Sequence, residues 1–159
     1  MSKPRRGMDI RSRLEFGHAV PILRVSDFDR SIQYYLDRLG FKEDWRIGRF
    51  GSVSRDKAFL MLSEGSQGCS STWLWVAVGD ADALYEELLN RGADIRHPPT
   101  TYPWGSREVH VFDADRHVLR FGSEAPENAT LGPWLDEAGV LWMPESDGSW
   151  REIAQSGGD

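Results

Sequence analysis

Two stretches decide the fold: VPILRVSDFDRSIQYYLDRLGFKED at residues 20–44 and WLWVAVGDADALYEELLNRGADIRH at residues 73–97. Each opens with alternating apolar residues, passes an aspartate, runs on with helical periodicity, meets a glycine and restarts as a strand. Asp27 and Asp80 read as helix N-caps, because a short carboxylate accepts from the free N–H groups of a first turn. Gly40 and Gly92 read as the stops, since glycine enters the left-handed region without a Cβ penalty. The caps, at 27 and 80, lie 53 residues apart; the stops, at 40 and 92, lie 52 apart. Two copies at nearly one spacing predict an internal duplication.

Three strand-like runs follow the first helix: FKEDWRI, RFGSVSR and KAFLMLS, with tight turns near Gly48 and at Asp56-Lys57. DIRH, SREVHVF and HVLRFG follow the second. The expected fold is α+β: two βαβββ modules forming a curled mixed sheet, with helices on its outer face. Strand alternation sorts the sides. Leu23, Val25, Leu74, Val76, Val109, Val111, Leu119 and Phe121 are expected under the helices. Trp73, Trp75, Glu108, His110 and Arg120 face the other way, and that mixed face has the character of a ligand surface.

The chain has 159 residues, enough for one domain with its own core. Its net charge of −6 argues against a nucleic-acid partner, whose phosphates call for a basic face, and favours cationic small molecules. No apolar run is long enough to span a bilayer, so no membrane role is expected. The basic start, residues 1–16, has no apolar segment behind it and reads as an arm rather than an export signal. The single cysteine, Cys69, sits in a Gly/Ser-rich loop with no base near it in sequence. A cytoplasmic protein without disulfides is the expectation.

The stretches AVPILRVSDFDRSIQYYLDRLGF (19–41), WLWVAVGDADALYEELLNRGA (73–93) and PWGSREVHVFDADRHVLRFGS (103–123) together resemble the vicinal oxygen chelate superfamily. That superfamily includes glyoxalase I, extradiol dioxygenases, fosfomycin-resistance thiol transferases and bleomycin-resistance proteins. The combination of AVPIL, DRLGF, PWG, RE and LRF points to the bleomycin-resistance branch. The resemblance implies a domain over residues 17–124, with modules at about 17–64 and 72–124, followed by an extension over 125–159.

In the superfamily's metalloenzymes, ligands occupy four strand positions. By register these fall here at Val20, Met61, Trp73 and Arg120, none of which is an ordinary ligand for a catalytic divalent cation. No metal, cofactor or catalytic residue is therefore expected, and the chain leans away from being an enzyme. His97, before Pro98-Pro99, is expected in a solvent-exposed loop, and His117 at a strand end. His18 and His110 can both face the cleft, where each can bond a ligand, act as a base or simply serve the structure.

In bleomycin-resistance proteins, the tryptophan corresponding to Trp104 and an aromatic matching Phe50 line the groove that holds the drug's flat rings. The resemblance thus implies ligand binding by Trp104 and Phe50, and the mixed strand face adds Trp73, Trp75, His18, Glu108, His110 and Arg120 as candidate ligand-binding residues. Trp73 and Trp75 read equally well as interface or core residues. The expected partner is a small molecule that is planar and cationic, with a glycopeptide-type drug as a candidate. It would be sequestered in grooves at a homodimer interface. Two alternatives stand beside this: a metal-dependent lyase or dioxygenase with a displaced site, and a protein–protein interaction module.

Two departures from the family pattern stand out. Asp113-Ala114-Asp115-Arg116 carries arginine where a glycine is usual in a left-handed turn position. Beyond Ser123, the extension contains VLWMPESDGSWREI, a hairpin signature with Asp147-Gly148 at the turn and three tryptophans, Trp134, Trp142 and Trp150, in or near it. A free hairpin is marginal in water, so it is expected to pack on the body or on a partner subunit, where it can cover the cleft mouth.

Overall fold

A computed structural model describes residues 17–153; the basic arm and the Gly-Gly-Asp end fall outside the described residues. The first module comprises β1 (Ile22–Arg24), α1 (Phe28–Asp37), β2 (Lys42–Ile47), β3 (Phe50–Arg55) and β4 (Ala58–Ser63). The second comprises β5 (Trp73–Ala77), α2 (Ala81–Asn90), β6 (Asp94–Thr101), β7 (Ser106–Phe112) and β8 (Val118–Glu124). Each module forms its own four-stranded mixed sheet, ordered β1-β4-β3-β2 and β5-β8-β7-β6, with the first and last strands parallel. Asp27 accepts from Arg30 N–H, and Asp80 accepts from the N–H groups of Asp82 and Ala83, so both caps act as read.

The register exposes the duplication. Ile22 lies opposite Met61 in the first sheet, and Trp75 lies opposite Arg120 in the second. Ile22 and Trp75 differ by the same 53 residues as the caps, at 27 and 80, so Met61 and Arg120 occupy equivalent places.

One apolar core serves both modules. Leu23, Val25, Phe28, Ile32, Tyr35, Leu39, Val53, Leu60 and Leu62 join Leu88, Val109, Val111, Leu119 and Phe121 in a single buried cluster. Polar ties lock the modules around it. The Asp115 carboxylate accepts from Ser26 N–H (2.8 Å), Ser26 Oγ (2.6 Å) and Ser31 Oγ (2.6 Å) at the start of α1. Tyr35 Oη donates to Asp113 Oδ2 at 3.0 Å.

His117 is wholly buried and joins three strands rather than merely ending one. Its Nδ1 accepts from Thr72 N–H at 3.1 Å, so its Nε2–H donates to the Arg24 carbonyl at 2.7 Å. Arg116 does adopt the left-handed conformation, at φ 68°. Its guanidinium lies 3.4 Å from the Phe112 ring centroid and pairs with Asp94 at 3.0 Å, which offsets the backbone cost.

His97 departs from expectation. It sits inside β6 and is buried at 9% exposure, because β6 continues through Pro98-Pro99. Register shifts on either side of His97 let the strand carry prolines that cannot donate to a ladder. The extension forms a third sheet from β9 (Trp134–Leu135), β10 (Leu141–Pro144) and β11 (Trp150–Ile153), ordered β11-β10-β9. The predicted hairpin is β10–β11, with Gly148 at φ 85° in its turn.

Candidate functional site

The helix-free face of the second module is organised around Glu108 on β7. This carboxylate has no exposed surface and accepts five hydrogen bonds. Oε1 receives Trp104 Nε1 (2.9 Å), Trp75 Nε1 (3.3 Å) and Arg120 Nη2 (3.0 Å). Oε2 receives Arg120 Nε (2.8 Å) and lies 3.1 Å from His110 Nε2. Burial alone would raise its pKa, but the hydrogen bonds from His110, Arg120 and Trp104 outweigh it and hold it down to about 2.

Two glycines make this convergence possible. Gly105, at φ 79°, turns the corner between β6 and β7 that carries Trp104. Gly122 on β8 leaves room for the Trp75 indole to cross the strand: a Cβ there would lie 2.6 Å from Trp75 Nε1.

Burial pushes His110 below the ordinary imidazole value of 6.5, against the opposing pull of Glu108. A neutral His110 donates from Nε2 to the carboxylate, and its Nδ1 is buried without a hydrogen-bond partner. Because Glu108 and His110 are both sealed from solvent, their part in any binding is to hold the indoles and Arg120 in place. Trp104 and Trp75 keep 50% and 52% of their surface exposed, Trp104 in the pocket it shares with Arg120 and Trp75 in a separate cavity.

The C-terminal extension docks on this same face. Arg96 Nη1 donates to the Leu135 carbonyl at 2.9 Å, Nη2 donates to the Asp136 carbonyl, and the guanidinium lies 4.7 Å from the Trp73 ring centroid. His97 Nε2 donates to the Pro133 carbonyl at 3.1 Å, and burial lowers its pKa. Trp134 then covers the floor, with ring centroids 5.3 Å from His110, 5.7 Å from Trp104 and 5.8 Å from Trp73. Tyr102 stacks behind Trp104 at 4.7 Å.

An open pocket of about 590 Å³ remains, lined by Trp104, Arg120, Trp134, Asp136, Trp142 and Trp150. The extension supplies four of these six residues. Sequence reasoning placed its tryptophans near the cleft mouth only as one option. Tyr102, Arg96 and His97 were missed, because their roles depend on where the extension lands.

The structure brings Trp104, Trp73, Trp75, Glu108, His110 and Arg120 together. It does not bring Phe50 to them within one chain, and it brings His18 only to Trp75, across a second cavity that both border. Phe50 sits in the first module, edge-on to Trp45 at 5.3 Å. The exposed His18 borders a different cavity of about 820 Å³, alongside Pro21, Phe59 and Leu84.

The superfamily's metal positions do not suit a divalent ion here. An isopropyl group, a thioether, an indole and a guanidinium already bonded to Glu108 supply no imidazole or carboxylate. Among the described residues, no group of three or more His, Cys, Asp or Glu is placed to hold a metal.

The family model of the glyoxalase/bleomycin resistance protein/dioxygenase superfamily matches residues 15–121. Bleomycin resistance proteins of Geobacillus stearothermophilus and Staphylococcus aureus are 26% identical over 125 residues, covering 65% of this chain and 93% of theirs. The bleomycin-binding protein from bleomycin-producing Streptomyces verticillus, solved with copper(II)-bleomycin, is 27% identical with a TM-score of 0.57, covering 71% of this chain and 98% of that one. A bleomycin resistance determinant encoded on the transposon Tn5 shares the fold, with 22% identity and a TM-score of 0.61, over 69% of this chain and 98% of its own. The whole extension lies beyond the residues matched by the family model.

Proposed function

Because the chain belongs to the glyoxalase/bleomycin resistance protein/dioxygenase superfamily, we propose that it is a small-molecule-binding protein of the bleomycin-resistance type. It works without a metal and sequesters a planar, cationic compound. The observation that carries this reading is the exposed indole of Trp104, fixed by Glu108 and backed by Tyr102. A rigid aromatic plane held in this way stacks flat heteroaromatic rings with little ordering cost.

Charge supports a cation. The Arg120 guanidinium is neutralised by Glu108, whereas the Asp136 carboxylate accepts from neutral donors, the N–H groups of Ala138 and Val140 and the indole of Trp142. Arg120, its partner Glu108 and Asp136 together carry one net negative charge, with Arg96 outside the lining beside the Asp136 backbone. The relatives named for bleomycin resistance or bleomycin binding make a glycopeptide drug of that class the first compound to try.

A homodimer is part of the proposal. The first module's helix-free face leaves Trp45, Ile47 and Phe59 exposed, apolar surface that a second copy would cover. Pairing of the two modules' faces across copies would bring Phe50 and His18 towards a groove. Isothermal titration with metal-free and copper(II)-bleomycin tests the ligand, and sedimentation equilibrium tests the dimer. Saturable heat and twice the chain mass are expected; absence of heat with both forms would remove this ligand class.

A further inference from the structure

The extension contributes more than a cover. We propose that Trp150 and Trp104 form the two jaws of a box for a flat aromatic cation, with Asp136 as its counter-charge. This makes the C-terminal hairpin the element that selects the ligand. The inference rests on the small-molecule reading above, but it adds two residues outside the span matched by the family model, Trp150 and Asp136, and needs only one chain.

The Trp104 and Trp150 ring centroids are 6.4 Å apart, with planes inclined by 38°. A ring inserted between two indoles needs two van der Waals spacings, about 7 Å in all. The jaws thus stand close to the separation of a filled sandwich and open to one side. Both rings are substantially exposed, at 50% and 38%, so neither spends its pocket face on the core. Trp134 closes the back at 73° to Trp104, giving the edge-to-face contact that a flanked ring accepts.

The two jaws are held differently. Trp104 is fixed by Glu108 and Tyr102 on the rigid sheet. Trp150 rides on β11, the outer strand of the extension's sheet, paired only with β10.

Asp136 sits at the start of the turn into β10. Its oxygens accept from Ala138, Val140 and Trp142, which fixes the carboxylate as an ion in the pocket wall. Hydrogen bonding from the Trp142 indole and neighbouring N–H groups lowers its pKa, so it stays charged at neutral pH. Four indoles and a carboxylate whose side chain bonds only neutral donors favour a delocalised cation, against the opposing charge of Arg120 in the same lining.

The test compares three flat probes by tryptophan quenching: proflavine, a planar cation; acridine at alkaline pH, a neutral isostere; and naphthalene-1-sulfonate, an anion. Full-length protein should bind proflavine most tightly, acridine more weakly and the sulfonate least. Trp150→Ala should weaken proflavine about tenfold, the value of one lost stacking face with its burial, and Trp150→Phe should recover most of it. Asp136→Asn should weaken proflavine but leave acridine unchanged, a difference that mere loosening of the hairpin would not produce.

Equal proflavine affinity in wild type and Trp150→Ala, with unchanged circular dichroism, would overturn the jaw. A sulfonate preference would overturn the charge assignment. Failure to bind bleomycin while proflavine behaves as described would remove the drug class and leave the box standing.

Discussion

Arg120 meets Glu108 side-on, with Nε 2.8 Å from Oε2 and Nη2 3.0 Å from Oε1. The parallel pair places a guanidinium where the superfamily's metalloenzymes carry a ligand, and turns a potential first-row donor, the carboxylate, into a partner for indoles. Glu108 is wholly buried while Arg120 keeps 23% of its side chain exposed, so the two ends of the pair are not equivalent.

That asymmetry sets the first prediction. Arg120→Ala leaves an uncompensated carboxylate under Trp134 and should destabilise the protein by about 3–5 kcal/mol. Glu108→Gln should cost less, because Arg120 can turn to solvent. Urea unfolding of both variants checks the order, and the reverse order would contradict it.

Arg96 holds the extension through two carbonyls, at Leu135 and Asp136, and through the face of Trp73. Arg96→Ala should release the extension without unfolding either module. Hydrogen exchange should quicken in β10 and β11 and stay unchanged in β7 and β8. Arg96→Lys should fail to restore protection, since a single ammonium does not reproduce the planar fork.

Acidification should destabilise the fold in a definite window. Burial holds His97 and His110 below their ordinary 6.5, so the unfolded chain takes up these protons first as pH falls. Stability from this source is complete above 6.5 and declines below it. Glu108 opposes the drop at His110, and Arg96 and Arg120 reinforce it. The thermal midpoint should fall from about pH 7.5 to about pH 5.5, and His110→Gln, which can still donate to Glu108, should flatten that slope.

Asp115 caps the start of α1 from the opposite module through Ser26 and Ser31. Asp115→Ala should cost about 2 kcal/mol, the scale of hydrogen bonds to a charged group. A change below a few tenths, measured by chemical denaturation, would mean that the Asp115 bonds contribute nothing to holding the modules together.

Most of the scaffold was legible because it depends on local rules. The Asp27 and Asp80 caps, the Gly40 and Gly92 stops and the alternation of Val109, Glu108, His110 and Val111 each follow from neighbours in sequence. The Glu108 network was half legible: alternation placed Glu108, His110, Arg120 and Trp75 on one face, but periodicity does not reveal that Gly122 lets the Trp75 indole reach across. His97 was misplaced because Pro98-Pro99 reads as a strand breaker, and only the bulged β6 and the docked extension make it a buried residue. The landing site of the extension was legible only as one option among several, since Arg96, His97 and Pro133 carry no mutual signal along the chain.

The central claim, that Trp104 presents a ligand-binding surface, is most directly tested by titrating bleomycin into wild-type protein and Trp104→Ala while recording heat and tryptophan fluorescence. The account predicts saturable binding with quenching in the wild type, and about a tenfold weaker affinity in the variant while its circular dichroism stays native. Identical affinities in the two proteins, or neither heat nor quenching in the wild type, would contradict it.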